Sequence, residues 1–150
     1  MEIRAITRYD RDEWARMRAA LYPDPPVSEI DDWLDAMDAG GTHPVGVAVL
    51  VADRGDGMLA GFVEIGSRSY AEGCESAPVA YLEGWYVDPD ARRSGLGRRL
   101  VEAAEDWARA NGVTELARDA ELDNEVSDRA HRALGFDEVE RQVCFRKRLA

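Results

Sequence analysis

The 150-residue chain holds only two cysteines, Cys74 and Cys144, and two histidines, His43 and His131. Two cysteines make no disulfide framework, and so few sulfur and imidazole ligands exclude a zinc site built from Cys and His. No carboxylate cluster has metal-ligand spacing either, so no metal is expected. Lysine is nearly absent, since Lys147 is the only one and the other cations are arginines. The longest apolar stretch, Val45 to Ala52, is far too short to cross a bilayer. The start, MEIRAI, has neither the basic segment nor the apolar core of a signal peptide. A cytoplasmic location is therefore expected, with no membrane partner. Repeats, low-complexity tracts and linkers are also missing.

What is abundant is acid. Thirty Asp and Glu face nineteen Lys and Arg, for a formal charge of −11. That balance disfavours nucleic acid, whose phosphates need concentrated positive charge, and fits a cationic ligand. A hydrophobic fraction of 45% supplies an ordinary core, and 33% charged residues with spread aromatics argue against disorder. The length suits one domain over residues 1–150.

Periodicity places the elements. Met1 to Ala5 reads as a strand. Trp14, Met17 and Leu21 share one helical face, with Asp10 or Asp12 as cap and Pro23, Pro25 and Pro26 as the stop. Ile30, Trp33, Leu34 and Met37 form the stripe of a second helix that starts near Ser28 and ends at Gly40 and Gly41. His43 reads as a turn residue. Val45 to Ala52 and Met58 to Ile65 read as strands joined through the Asp56-Gly57 step. A loop over Tyr70 to Pro78 leads to a strand over Ala80 to Val87. A helix from near Gly95 to Gly112, a short strand over Val113 to Ala117 and a helix over Ser127 to Leu134 follow. Odd-numbered residues from Val139 to Leu149 alternate as a long final strand would. This order indicates one mixed α/β or α+β domain and leaves the strand order open.

The most informative segment is Asp88 to Arg99, DPDARRSGLGRR. Gly95 and Gly97 permit close approach to the start of a helix, whose free N–H groups and positive field suit a pyrophosphate. Arg92, Arg93, Arg98 and Arg99 concentrate positive charge in an acidic chain. The plain alternative is a glycine-eased helix start with solvated arginines. The pattern is neither the P-loop nor GxGxxG. Arg92-x-x-Gly95-x-Gly97 directly after a strand resembles the coenzyme A signature of the GCN5-related N-acetyltransferase (GNAT) superfamily. Ala133-Leu134-Gly135-Phe136 resembles its later leucine-glycine-phenylalanine motif. Tyr81 to Val87, Asp119 with Leu122-Asp123-Asn124, His131 to Phe136, and Val143 to Lys147 resemble the aminoglycoside 6'-N-acetyltransferases within it.

That resemblance implies an α+β fold: one GNAT domain with a mixed, largely antiparallel sheet, flanking helices and a splayed wedge for CoA. It implies transfer of acetyl from acetyl-CoA to an aminoglycoside 6'-amine by direct attack, and a homodimer completed by the C-terminal segment. The alternatives are another cationic acceptor, such as a polyamine or peptide, and a noncatalytic acyl-CoA-binding module. Glu83 and Asp119 are implied as the catalytic carboxylates that hold the amine and take its proton. Without the resemblance, each reads as a solvated acid. Main-chain groups of Tyr86 and Val87 are implied to align the pantetheine arm. Arg92, Arg93, Ser94, Gly95, Leu96, Gly97 and Arg98 surround the pyrophosphate, and Asn124 and His131 complete the cofactor set. His131 stands where many members have a tyrosine acid, and reads more simply as a hydrogen-bonded helix residue. Tyr22, Tyr70, Glu72, Glu83, Trp85 and Asp119 are the acceptor-site candidates. Trp33 is read as packing, Asp123 as a helix cap, and Arg118 as a cation beside Asp119.

Overall fold

The computed structural model describes residues 1–23, 27–38 and 48–149. Pro25, Pro26, Gly40, Gly41, His43 and the first residues of the predicted Val45–Ala52 strand lie outside them. The described chain runs β1 (Glu2–Ala5), α1 (Arg11–Leu21), α2 (Val27–Asp38), β2 (Ala48–Asp53), β3 (Leu59–Arg68) and β4 (Val79–Val87). It continues through α3 (Leu96–Ala110), β5 (Leu116–Ala117) and α4 (Glu125–Ala133). The strands form one sheet in sequence order, β1-β2-β3-β4-β5. The first three pairings are antiparallel and β4–β5 is parallel. The expected mixed, largely antiparallel sheet is present.

Alternation along the strands sends apolar side chains to two layers. On one face Phe62, Leu59, Val49 and Val51 bury Trp14, Met17, Ile30, Trp33 and Leu34 of α1 and α2. On the other, Val63, Ile65, Ala80 and Leu82 meet Leu96, Leu100, Val101, Ala104 and Ala108 of α3. Polar ties fix α1 to the sheet. Asp88, 7% exposed, accepts from Arg16 (2.9 and 3.0 Å) and Arg54 (3.3 Å), while Glu13 accepts from Leu59 N–H (3.0 Å). Burial opposes ionisation of Asp88, but these guanidinium bonds outweigh it and hold the carboxyl below its usual range. Asp10 stands before α1 without capping it. Its carboxylate takes Arg4 (2.8 and 2.9 Å) and the Thr7 N–H (2.7 Å) instead.

Two strand expectations change. Val113 is spent on closing α3, its N–H bonding the Ala108 carbonyl at 2.9 Å after Gly112 turns at φ 72°, so β5 shrinks to two residues. Residues 136–149 carry no ladder, and the predicted final strand is absent. A strand needs a partner edge, and here the segment has none within the described chain. Val143, Phe145 and Leu149 stay 74%, 93% and 86% exposed.

Candidate active site

The β3–β4 ladder contains a bulge that shapes an open groove on the α1–α2 face. Glu64 pairs with Gly84 and Ile65 with Leu82, so Glu83 is the extra residue. An extra residue resets the strand's phase and re-aims side chains. The Glu83 carboxylate lies over Gly66, where a Cβ would stand 2.7 Å from Oε1. Gly84 makes room in the same way for the Tyr22 hydroxyl and the Glu64 carboxylate, at 2.5 and 3.0 Å from its missing Cβ. The Tyr22 hydroxyl donates to the Glu83 carbonyl (3.2 Å). The groove holds about 730 Å3, and Tyr22, Glu64, Arg68, Tyr70 and Glu83 contribute to its walls.

Its floor is a buried ion pair that sequence reasoning passed over. Glu64 and Arg18 are 1% and 5% exposed and meet at 3.2 Å. Trp14 Nε1–H also donates to Glu64 (3.2 Å). The guanidinium carbon of Arg18 lies 5.2–5.5 Å from the ring centres of Trp14, Tyr22 and Trp33. Burial pushes the Glu64 carboxyl up to about 7, against the pull of Arg18 and Trp14. The legible signal was an acid at an inward phase of an apolar strand, GFVEIG.

Glu83 is not alone in the groove. Arg68, the last residue of β3, grips both its oxygens, Nη2 to Oε2 at 2.8 Å and Nε to Oε1 at 3.1 Å. The Arg68 guanidinium lies 3.5 Å over the Tyr81 ring. Asp119, two residues beyond β5, lies close enough to Tyr81 and Arg68 to act on both electrostatically, but it is not among the groove's walls. Arg118 turns inward, its Nη1 donating to the Leu82 carbonyl (3.1 Å), and burial draws its pKa down. Two expected acceptor residues are elsewhere. Trp85 projects to the α3 face, where its ring edge lies 3.1 Å from the position of a Cβ on Gly97 and meets His131 at 5.7 Å. Glu72 is not among the groove's walls, because the buried Ala71 anchors its loop against Val79 and Tyr81. Trp33, 6% exposed, packs on Trp14 with ring centres 5.6 Å apart, as its helical stripe indicated.

Around the corner of β4 lies a second concavity. β4 pairs with β5 only at Ala80–Leu116 and Tyr81–Ala117, then runs on to Val87 past the end of the two-residue β5. The chain next turns through Arg93 (φ 61°) and Gly95 (φ 83°) into α3. Gly95 offers no capping side chain, and a Cβ there would meet nothing within 4 Å. The first N–H groups of α3 thus face open space with the helix's positive end. Arg92 donates to the Val87 carbonyl (2.9 Å), and Ser94 Oγ to Ala91 (2.6 Å). Arg98 reaches the Ala133 carbonyl (3.0 Å) and Arg99 the Met1 carbonyl (2.7 Å), so these two tie the loop to its neighbours. Asn124, not Asp123, caps α4, its side-chain oxygen accepting from Ser127 N–H (3.0 Å). The His131 ring is wedged edge-on between Trp85 and Phe136. Its Nδ1 faces the Ser127 carbonyl at 2.6 Å, which fixes the proton on that nitrogen, and burial lowers its pKa.

A largely antiparallel sheet whose short parallel edge strand leaves the end of β4 unpaired, beside a glycine-containing turn at a helix N-terminus, has the open edge and the anion site that an acyl-CoA needs. The chain belongs to the Acetyltransferase (GNAT) family, whose model matches residues 6–136. Within that family its likeness is to the aminoglycoside 6'-acetyltransferases. It is 47% identical to aminoglycoside N(6')-acetyltransferase type 1 of Klebsiella aerogenes, over 98% of this chain and 96% of that protein. The enzyme of the same name from Stenotrophomonas maltophilia is 43% identical, over 96% and 91%. Among solved structures, AAC(6')-Iy in complex with the bisubstrate analog CoA-S-monomethyl-acetylneamine superposes with a TM-score of 0.86. Its identity is 31%, with 99% of this chain and 98% of that one covered. Among the described residues no group of His, Cys, Asp and Glu is placed to hold a metal, and no helix is long and apolar enough to cross a membrane.

Proposed function

We propose that this protein transfers the acetyl group of acetyl-CoA to the 6'-amine of aminoglycosides, with Glu83 and Asp119 as the acceptor-site carboxylates. The observation that carries the reading is the bulge, which sets Glu83 into the groove on the stretch of β4 that runs past the end of β5. The open turn at Gly95 suits a pyrophosphate, and an acyl thioester is the activated donor. An ammonium is not a nucleophile until it loses a proton. Glu83 attracts the cation and takes that proton, directly or through water, as the amine attacks the carbonyl carbon. Main-chain N–H groups near Val87 stabilise the developing oxyanion. Asp119 positions the amine from the Tyr81 side. His131 does not serve as the acid, because its Nδ1 proton is held by the Ser127 carbonyl and burial disfavours the second proton that Nε2 would have to donate. Its role is packing under the turn, and the departing CoA thiolate takes its proton from solvent. Tyr22 and Tyr70 wall the acceptor's rings.

We infer further that the enzyme is a cytoplasmic homodimer without a nucleic-acid partner, the last in keeping with the −11 charge. The exposed Val143, Phe145 and Leu149 and the two-residue edge strand β5 support a second copy as the occupant of that surface. Glu83→Gln tests the chemistry. It keeps the shape while removing the charge, so kcat/KM for the acceptor should fall by roughly 100-fold with acetyl-CoA binding retained. Unchanged turnover across pH would remove Glu83 from the mechanism.

A further inference from the structure

We propose that Arg68 sets the acceptor affinity of the groove by competing for Glu83, so that acceptor binding is an exchange of one cation for another on a single carboxylate. The proposal deepens the reading above and rests on Glu83 being the carboxylate that meets the acceptor's ammonium.

Three observations carry it. Arg68 engages both oxygens of Glu83, at 2.8 and 3.1 Å, in the planar fork that guanidinium and carboxylate favour. An ammonium that takes the same face of these oxygens displaces at least one arm of that fork, and one that arrives on their open lone pairs meets the guanidinium's like charge. Second, Glu83 does not depend on Arg68 for its place. The bulge aims it, and its carboxylate rests over Gly66, where any side chain would collide with Oε1 at 2.7 Å. Third, Arg68 has somewhere to go. It is the last residue of β3 and its side chain is 42% exposed. The Tyr81 ring, 3.5 Å beneath the guanidinium, and the Asp119 charge beyond it offer a resting place that does not include Glu83.

Releasing Arg68 costs every acceptor about the same, so Arg68 lowers affinity for all amines by a common factor, and the ranking among them is left to the further charges and hydroxyls that each places along the groove.

The test is a double-substitution cycle with steady-state kinetics on tobramycin and acetyl-CoA. Arg68→Met keeps a flexible apolar stem over Tyr81 and removes the charge. The KM for tobramycin should fall about fivefold, the worth of one partly exposed ion pair, and kcat/KM should rise. Arg68→Lys keeps a cation and should hold KM within about twofold of the wild type. In the Glu83→Gln background, Arg68→Met should give no further fall in KM, because the contested carboxylate is gone. A KM that is unchanged or higher in Arg68→Met, or a fall in kcat/KM, overturns the proposal and makes Arg68 a support for Glu83. If Glu83→Gln alone leaves the kinetics intact, the underlying reading of Glu83 has failed. If Glu83→Gln is impaired while Arg68→Met shows no gain, only the exchange has failed.

Discussion

Glu64 is the residue whose environment most changes its chemistry. It is 1% exposed beside Arg18, and burial raises its carboxyl from 4.5 to about 7. A folded-state pKa above the unfolded one means that the fold binds the proton more tightly. The stabilisation is fully present below pH 4.5 and is lost as the pH rises towards 7. Glu64→Gln removes this titration. Urea unfolding from pH 5 to 8 should show the wild type losing stability relative to the variant, by up to about 3 kcal/mol. A constant difference would mean that Glu64 stays charged throughout. Residue chemistry was the least legible level of the sequence. Glu83 and Asp119 were found through the likeness of short motifs, since either acid is ordinary among thirty. Glu64, Arg18 and Arg68 were missed because their meaning lies in cross-strand neighbours, such as Gly84 and Gly66, that local spacing does not reveal.

Among elements, α1, α2 and α3 were legible because each carries an apolar stripe, as Leu100 and Ala104 do on α3, whereas α4 has no buried residue and was marked by the glycine that stops it. The hairpin at Asp56-Gly57 was legible from its dipeptide. It closes with Arg54 N–H on the Met58 carbonyl (3.0 Å). The bulge at Glu83 was not, since it depends on register against β3. The C-terminal strand was over-read for a related reason: alternation marks a segment able to pair, and pairing also needs an available edge. The turn into α3 makes an element-scale prediction. Gly95 sits at φ 83° with open space around it. Gly95→Ala should therefore cost about 1–2 kcal/mol of backbone strain without a steric clash. A thermal melt would register that loss, and titration with CoA should show weaker binding, while the KM for the acceptor changes little. Unaltered CoA affinity would separate the turn from the cofactor.

For the whole molecule, the formal charge of −11 resolves into a division of labour. Arginines gather at the turn into α3, and the groove under the bulge sets Glu29, Glu64 and Glu83 against Arg18 and Arg68. The exposed C-terminal segment adds an expectation about assembly. Light scattering at micromolar concentration should give twice the 16.7 kDa chain mass, and a monomer would leave Phe145, 93% exposed, without its proposed cover. Fold and family were legible from sequence because several motifs stand in order along nearly the whole chain. The central claim is the identity of the acceptor. Incubation with acetyl-CoA and kanamycin or tobramycin, with the product's acetylated position read by NMR, addresses it directly. A single new acetamide at the 6'-nitrogen is the expected result. Acetylation at another amine, or no product at high enzyme concentration, would contradict it.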